Sequence, residues 1–146
     1  MVSILKKHLF VVIIKPDAFK RNLHHAIAEA ISINSKKNNT NIHVVKTAIK
    51  QPSLELAQEH YFEHVGKPHF DRITNGLSGG KQVCVILYTC DTSSCLFNTR
   101  KFCTSDIRNM FTVPGSEKHE NVIHCSDSPH SGEREASLWF KDSDYL

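Results

Sequence analysis

The sequence predicts an α/β protein in which helices cover an antiparallel four-stranded sheet, and three observations support this class. Two continuous apolar runs rich in β-branched residues, 9–14 and 83–88, are typical of strands buried on both faces. Segments with helical periodicity separate the predicted strands. The resulting order β-α-β-α-β-α-β has no internal repeat and favours the split βαβ, or ferredoxin-like, plan within one domain spanning residues 1–146.

The first half of the chain predicts two strands with a helix between them. The first strand, 9–14, is ended by the charged and proline-containing segment 15–17. Apolar residues then recur at helical spacing, which predicts an amphipathic helix with the buried positions Leu23, Ala26, Ile27, Ala30 and Ile31. A polar loop is expected over 34–41, and residues 42–49 alternate apolar and polar side chains as a half-buried strand does.

Two further helices are expected before the second buried strand. Ser53 is the predicted N-cap of a helix that ends near Gly66-Lys67-Pro68, and a short helical piece covers residues 69–77. The stretch after the strand 83–88 predicts, in order, a helix, a short turn and a flexible loop at 94–102, 105–110 and 114–120.

The most informative stretch, residues 121–127, places a histidine at the end of a short apolar strand. Ser128 and Pro129 follow as an N-cap and a first helical residue. The helix that they start has a predicted core face of Gly132, Glu135, Ala136 and Trp139. A buried carboxylate needs a partner, and Glu135 is expected to orient the ring of His124. A surface histidine beside a slightly misphased helix is the alternative, and spacing alone does not separate the two.

Composition and charge exclude several classes of function. The net charge of +3 suits an anionic ligand, but the chain lacks the dense Lys/Arg stripe of a protein that binds nucleic acid specifically. The apolar run 9–14 is too short for a signal peptide or a membrane span, so a cytoplasmic protein is expected. Five cysteines without C-x-x-C spacing predict reduced, buried thiols rather than a zinc site.

Three separated blocks of the chain resemble the nucleoside diphosphate kinase family. They are Ile14-Lys15-Pro16-Asp17-Ala18, then Glu59-His60-Tyr61 with Gly66-Lys67-Pro68, and finally residues 121–128, which continue into 133–135 and 138–140 with the family's spacing. The resemblance covers most of the chain. It implies ping-pong transfer of the terminal phosphate of a nucleoside triphosphate to a nucleoside diphosphate, through a phosphohistidine on His124.

The resemblance also implies roles for individual residues. Glu135 would orient His124, and Ser126 would donate a hydrogen bond toward the phosphohistidine. Lys15 would reach the ribose hydroxyl and the phosphates, while Tyr61 would lie by the transferring group and hold Lys15 in place. His69 would occupy the position that stacks on the base, and Asn121 would bind the sugar through its amide. Arg100, Arg108 and Thr104 would bind the phosphates.

The implied cofactor is Mg²⁺. It would arrive with the nucleotide and be held by phosphate oxygens and water, so no dedicated protein metal site is expected. The resemblance further implies a homo-oligomer built from dimers, with a hexamer as the larger assembly.

The chain departs from the family's pattern in three places. His69 stands where the family has an aromatic ring that stacks on the base, and an imidazole offers a smaller face. Only residues 101–107 separate Arg100 from Arg108, where the family has a long loop that also contributes to contacts between dimers. Cys125 follows the nucleophile, and its thiol would make activity sensitive to oxidation if it were exposed.

Other functions compete with phosphate transfer. The string His60-Tyr61-Phe62-Glu63-His64 has the order of an inverted zincin protease, in which a helix holds zinc between two histidines. A catalytically weak nucleotide-binding or regulatory module with the same fold is the second alternative, favoured by His69 and the short segment between the arginines. Direct binding of nucleic acid has only the mild positive charge behind it.

Overall fold

Four antiparallel strands form one sheet in the order β2-β3-β1-β4 in the computed structural model, which describes residues 8–141. The strands are β1 (His8–Ile14), β2 (Ile42–Lys50), β3 (Val83–Cys90) and β4 (Ile123–Cys125). The two apolar runs β1 and β3 are the central strands, because only a central strand is covered on both faces and paired on both edges. This order confirms the predicted split βαβ plan.

Seven α-helices connect and cover the described strands. They are α1 (Pro16–Lys20), α2 (His24–Lys37), α3 (Leu54–His60), α4 (Phe70–Leu77), α5 (Ser93–Phe102), α6 (Arg108–Phe111) and α7 (Pro129–Trp139). A 3₁₀ turn (Phe62–His64) follows α3, and a π-helical turn (Cys103–Ile107) joins α5 to α6. The predicted caps are present, since Ser53 Oγ accepts from Leu56 N–H and Ser128 Oγ from Ser131 N–H, both at 3.1 Å.

The central strands divide the interior into two cores because alternate side chains point to opposite faces. Phe10, Val12 and Ile14 of β1 pack with residues of α2 and α5 on one face. Val11 and Ile13 pack with residues of α3, α4 and α7 on the other. The second core is the one that carries the candidate site.

Helix α7 lies unusually close to β1 at Gly132. A Cβ at this position would lie 2.0 Å from the backbone carbonyl oxygen of Leu9, so only glycine permits the contact. The predicted core face of α7 is confirmed, since Gly132, Glu135, Ala136 and Trp139 are all buried. The close approach brings Glu135 against β4.

Two predicted boundaries in the connecting segments were wrong. Helix α2 continues through the polar residues 34–37, where the Asn38 side chain donates to the carbonyl of Asn34. Helix α3 ends at His60 rather than near Gly66, because Arg134 takes the carbonyls of Glu59 and His60 that the next turn would use.

The predicted turn at 105–110 is instead helical, since the chain runs from α5 through the π-helical turn into α6. The predicted alternation of β2 also fails, because a β-bulge between Val44 and Lys46 shifts its register against β3. Neither difference disturbs the sheet order. No helix among residues 8–141 has the length and apolar character needed to cross a bilayer.

Candidate active site

A strained turn places the histidine that ends the sequence motif. Val122 has φ +66°, which is rare for a β-branched residue, and Ile123 N–H donates to the Asn121 carbonyl at 2.8 Å to close a γ-turn. Two bonds hold this turn to the start of α1: Lys15 N–H donates to the Val122 carbonyl at 2.8 Å, and Val122 N–H donates to Asp17 Oδ2 at 3.1 Å. The turn therefore delivers β4 to the edge of β1 in a fixed register.

His124 lies opposite Ile13 in that register and shares the face of the sheet that α7 covers. Its Nε2 lies 2.7 Å from Oε1 of Glu135, as the spacing predicted. The Glu135 side chain is only 5 % exposed while that of His124 is 20 % exposed. Because a carboxylate accepts hydrogen bonds, Nε2 carries the proton and Nδ1 keeps its lone pair. The arrangement presents a nucleophilic nitrogen on an oriented ring.

Ser126 supports Glu135 and does not reach the cavity. Its hydroxyl donates to Glu135 Oε1 at 2.8 Å and accepts from Val11 N–H at 2.9 Å, and the residue is fully buried. This placement differs from the predicted donation toward a phosphohistidine. Ser126 instead fixes the carboxylate that orients His124.

A cavity of about 180 Å³ opens beside His124. Its walls come from α3 and the 3₁₀ turn, from the segment α5–α6, and from β4 and α7, and the lining residues are His60, Tyr61, Glu63, His64, Arg100, Thr104, Arg108, His124, Cys125, Asp127, Ser131, Arg134 and Glu135. Three of them are arginines. A half-open cavity with three guanidinium groups beside a histidine suits a polyanionic ligand such as a phosphate chain.

The π-helical turn explains how two arginines reach this cavity across a short segment. Arg100, Thr104 and Arg108 are spaced by four residues on one continuous helical stretch, so they share a face. Thr104 Oγ1 donates to the Arg100 carbonyl at 2.9 Å, and Arg108 Nη2 donates to the Ile123 carbonyl at 2.9 Å. The structure thus brings all three predicted residues together without a long loop.

Lys15 lines a second, smaller cavity, and Asn121 holds its ammonium group. The Lys15 ammonium donates to Asn121 Oδ1 at 2.7 Å and to the His119 carbonyl at 3.1 Å. Burial, followed by repulsion from Arg108, lowers the pKa of Lys15 to about 8. Tyr61 lines both cavities and so stands between Lys15 and His124. Tyr61 was predicted to hold Lys15 in place, but the side chain that binds Lys15 is that of Asn121.

His119 lies beside Lys15 and packs against α4. A Cβ on Gly76 of α4 would lie 2.4 Å from Cδ2 of the His119 ring, so the ring rests directly on this glycine. The remaining cavity measures about 40 Å³. The His119 ring therefore narrows the space beside Lys15.

His69 lies outside both cavities and binds a neighbouring histidine. Its Nε2 is 2.9 Å from Nδ1 of His64, which does line the larger cavity. The same geometry contradicts the zincin hypothesis, since α3 ends at His60 and His64 belongs to the 3₁₀ turn. His60 is buried against Trp139, so the two histidines do not share a helix face.

All five cysteines are free and buried, as the composition predicted. Cys125 is only 4 % exposed although it lines the larger cavity. A hydrogen bond with Cys103 and complete burial raise its pKa well above the usual range. The condition for oxidation sensitivity, an exposed thiol, is therefore not met.

Two residues of the site were missed by sequence reasoning. Arg134 lines the cavity and holds the C-terminal carbonyls of α3, and its position next to Glu135 was the available signal. His60 contacts the ring of His124, but its place in the H-x-x-E-H string directed attention to zinc. Neither role is visible in sequence because both depend on α3 packing against α7.

The fold and the site define an α/β protein whose carboxylate-oriented histidine faces a group of arginines, which is the arrangement of a phosphate-handling protein. The family model described as nucleoside diphosphate kinase matches residues 10–145. The chain belongs to the nucleoside diphosphate kinase family.

Individual relatives agree over nearly the whole chain. The nucleoside diphosphate kinase of Carboxydothermus hydrogenoformans is 33 % identical over 141 residues, covering 92 % of this chain and 89 % of the relative. That of Saccharolobus islandicus is 34 % identical over 138 residues, covering 91 % and 94 %. The structure of the Halobacterium salinarum enzyme in complex with CDP superposes with a TM-score of 0.75 at 23 % identity, covering 96 % of this chain and 91 % of that one.

Proposed function

We propose that this protein transfers the γ-phosphate of a nucleoside triphosphate to a nucleoside diphosphate in two half-reactions through His124. The observation that carries the proposal is the 2.7 Å bond from His124 Nε2 to Glu135, which leaves the Nδ1 lone pair available to attack. In the first half-reaction a bond forms between Nδ1 and the γ-phosphorus while the bond to the leaving diphosphate oxygen breaks. The second half-reaction reverses these events with a different diphosphate.

Glu135 and the arginines supply the charge that this transfer needs. The proton stays on Nε2, and the Glu135 carboxylate stabilises the positive charge that develops on the ring when phosphorus bonds to Nδ1. Arg100 and Arg108 reach the cavity from the helical segment opposite, where their guanidinium groups stabilise the anionic phosphoryl group in transit. Thr104 lies between them as a further donor.

Lys15, Asn121 and Tyr61 form the nucleoside end of the proposed site. Lys15 is protonated below about pH 8 and can serve the sugar hydroxyl and the phosphates. The His119 ring rests on Gly76 and narrows this end of the site, so its displacement would widen the space for a nucleoside. His69 is the candidate for stacking on the base, and its ring would first have to leave its bond to His64.

Magnesium is proposed to enter with the nucleotide. The chain's own donors fit this view, because the one three-residue cluster of metal-ligating side chains among residues 8–141 is His60, His124 and Glu135, which is poor in oxygen. Asp127 and Glu63 place carboxylates on the cavity wall and would hold the water molecules of a bound ion. When bound, the ion neutralises part of the phosphate charge.

The assembly is proposed to be a homodimer formed through β2. This strand is at the edge of the sheet, and its residues Val44 and Ile49 are 59 % and 57 % exposed. Pairing of β2 with a second copy about a two-fold axis would cover both. Light scattering of Val44→Lys should then report a monomer. Five free thiols support a cytoplasmic location for the assembly.

A nucleotide-binding module without turnover is the second candidate function. The observation that favours it is the placement of His69, which bonds to His64 and lies outside both cavities. Such a module would bind nucleotides without forming a covalent intermediate on His124.

Incubation with γ-labelled ATP and Mg²⁺, followed by a chase with a nucleoside diphosphate, separates the two candidates. Acid-labile, base-stable label on the wild type that moves to the acceptor supports phosphotransfer. His124→Ala should carry no label, and His130→Ala, an exposed position on α7, is the matched control. Nucleotide binding without label on the wild type would reject phosphotransfer in favour of the binding module.

A further inference from the structure

His60 is a buried imidazole in direct contact with the proposed nucleophile. It is the last residue of α3, only 3 % exposed, and belongs to the wall of the larger cavity. Its ring meets that of His124 edge to face, with centroids 4.5 Å apart and an interplanar angle of 77°. One ring nitrogen of His60, one of His124 and a carboxylate oxygen of Glu135 all lie within 4.8 Å of one another.

The indole of Trp139 fixes the tautomer of His60. Trp139 Nε1 lies 3.1 Å from His60 Nδ1, and an indole N–H can only donate, so Nδ1 must hold the lone pair. The proton of the neutral ring is therefore on Nε2. Burial, followed by the neighbouring His124 and Arg134, lowers the pKa of His60 well below its usual value, which keeps the ring neutral.

The Nε2–H of His60 has no hydrogen-bond partner among residues 8–141 although it is buried. A buried donor without a partner costs roughly 1–3 kcal/mol, so its retention calls for an explanation. A metal ion does not provide one, because coordination needs a lone pair on Nε2 and the indole has already assigned the lone pair to Nδ1. The missing partner must be an acceptor.

We propose that His60 is a further catalytic residue, whose Nε2–H donates to an oxygen of the phosphoryl group while that group is bonded to His124. The inference rests on the proposed phosphotransfer. The rings of His60 and His124 are in contact, with centroids 4.5 Å apart, and both residues line the cavity in which a phosphoryl group on Nδ1 would lie. The phosphoryl group is anionic, and a hydrogen bond to a charged acceptor is stronger than one between neutral groups.

This role gives the intermediate a stabilising contact that the free enzyme lacks. The donor stays unpaired until the phosphoryl group arrives, so the bond favours phosphorylated His124 over the free enzyme. A neutral donor also adds no positive charge beside a ring that becomes positive when phosphorus bonds to Nδ1. Trp139 acts through His60 and is a positioning residue.

Two substitutions of His60 separate the proposal from a purely structural role. In His60→Asn, the shorter amide can still accept from Trp139 but places nothing at the Nε2 position. In His60→Gln, the longer amide can present an N–H near that position and loses the fit to the indole. The exposed His130→Asn, on α7, controls for replacement of a histidine outside the cavity.

The measurement is the phosphorylated fraction of enzyme at defined ATP/ADP ratios, together with the melting temperature. We expect His60→Asn to lower the equilibrium constant for phosphorylation by about 10- to 100-fold, the worth of a hydrogen bond to a charged group. His60→Gln should lower it by clearly less, even where its melting temperature falls further. An unchanged constant in His60→Asn, or losses in both variants that only follow melting temperature, would overturn the proposal.

Failure of the underlying function has a different signature. If the wild type forms no phosphohistidine at any ATP/ADP ratio, phosphotransfer itself is rejected, and the inference about His60 with it. If the wild type is phosphorylated and His60→Asn behaves like it, only the role of His60 is rejected.

Discussion

The His119 ring packs directly against Gly76, since a Cβ on the glycine would lie 2.4 Å from the imidazole. This contact lets the loop that follows α6 fold down onto Lys15 and reduces the cavity beside it to about 40 Å³. The two residues lie 43 positions apart in the chain. It narrows the proposed nucleoside end of the site.

Replacing Gly76 with alanine should open this end of the site. The new methyl group displaces His119, which is the far end of a flexible side chain, while α4 gains helix propensity. We expect the KM for nucleotide to fall by about three- to tenfold, which corresponds to roughly 1 kcal/mol of loop contact. Steady-state kinetics of the variant measures this change.

His119→Ala provides the matched comparison for Gly76→Ala. If both substitutions act through the same contact, the double variant should show no further fall in KM, because the two effects are not additive. A higher KM in both single variants would instead mean that His119 contacts the nucleotide.

Loss of the Glu135 charge should slow phosphorylation of His124. Glu135→Gln keeps the size of the side chain and an acceptor for Nε2–H but removes the charge that stabilises the phosphorylated ring. We expect a fall in the rate of phosphorylation of about 10- to 100-fold, the usual worth of a hydrogen bond to a charged group. Rapid-quench kinetics with labelled ATP measures it.

Glu133→Gln on the exposed face of the same helix is the control for Glu135→Gln. Equal rates in the two variants would show that orientation by Glu135 is not required for attack by His124.

Nucleotide affinity should weaken as the pH rises through about 8. Burial lowers the pKa of Lys15 from its ordinary value of 10.5 to about 8, so the ammonium loses its proton above that pH and can no longer attract phosphate. We expect KM to rise above pH 8 in the wild type. In Lys15→Arg the rise should be absent, because arginine stays charged, and a rise of equal size there would assign it to another group.

The same group links pH to stability. Between pH 8 and 10.5 the unfolded chain binds more protons at Lys15 than the native chain does, so this residue makes stability increase with pH across that window. Below pH 8 both states are protonated, and the cost of burying the charge is constant. Urea unfolding of the wild type and Lys15→Met at pH 7.5 and 10 checks the sign, since the variant lacks this increase.

Gly132→Ala should destabilise the protein strongly. Its Cβ would lie 2.0 Å from the Leu9 carbonyl oxygen, and the backbone of a central strand cannot move aside as a side chain does. We expect a loss of about 3 kcal/mol, at the upper end for overpacking in a core. Thermal unfolding measures it, with the exposed Ser137→Ala as control, and equal stability of both variants would refute the close packing of α7 on β1.

Much of the fold was predictable because it depends on local patterns. The buried runs of β1 and β3, the caps at Ser53 and Ser128, and the core face of α7 each follow from residue type and spacing. The predicted pairing of His124 with Glu135 is also present, because an ionisable group on the core face of α7 needs a partner. The resemblance placed Arg100 and Arg108 by alignment, and both line the cavity.

The errors lie where distant segments decide local structure. Helix α3 ends early because Arg134 binds its last two carbonyls. The segment between Arg100 and Arg108 is helical because a π-helical turn joins the two helices that carry them. Ser126 turns toward Glu135 rather than toward the cavity, since the backbone of Val11 positions its hydroxyl. None of these partners is a neighbour in sequence.

The sequence by itself determined the sheet, the helices that cover it and the histidine–carboxylate pair, because periodicity and capping act over a few residues. Only the tertiary structure decided that the ring of His60 contacts that of His124 and that His119 covers Lys15. Both contacts depend on how α3, α7 and the long loop after α6 pack together. Contacts between segments that are distant in sequence therefore decide which groups surround His124 and how much space is left beside Lys15.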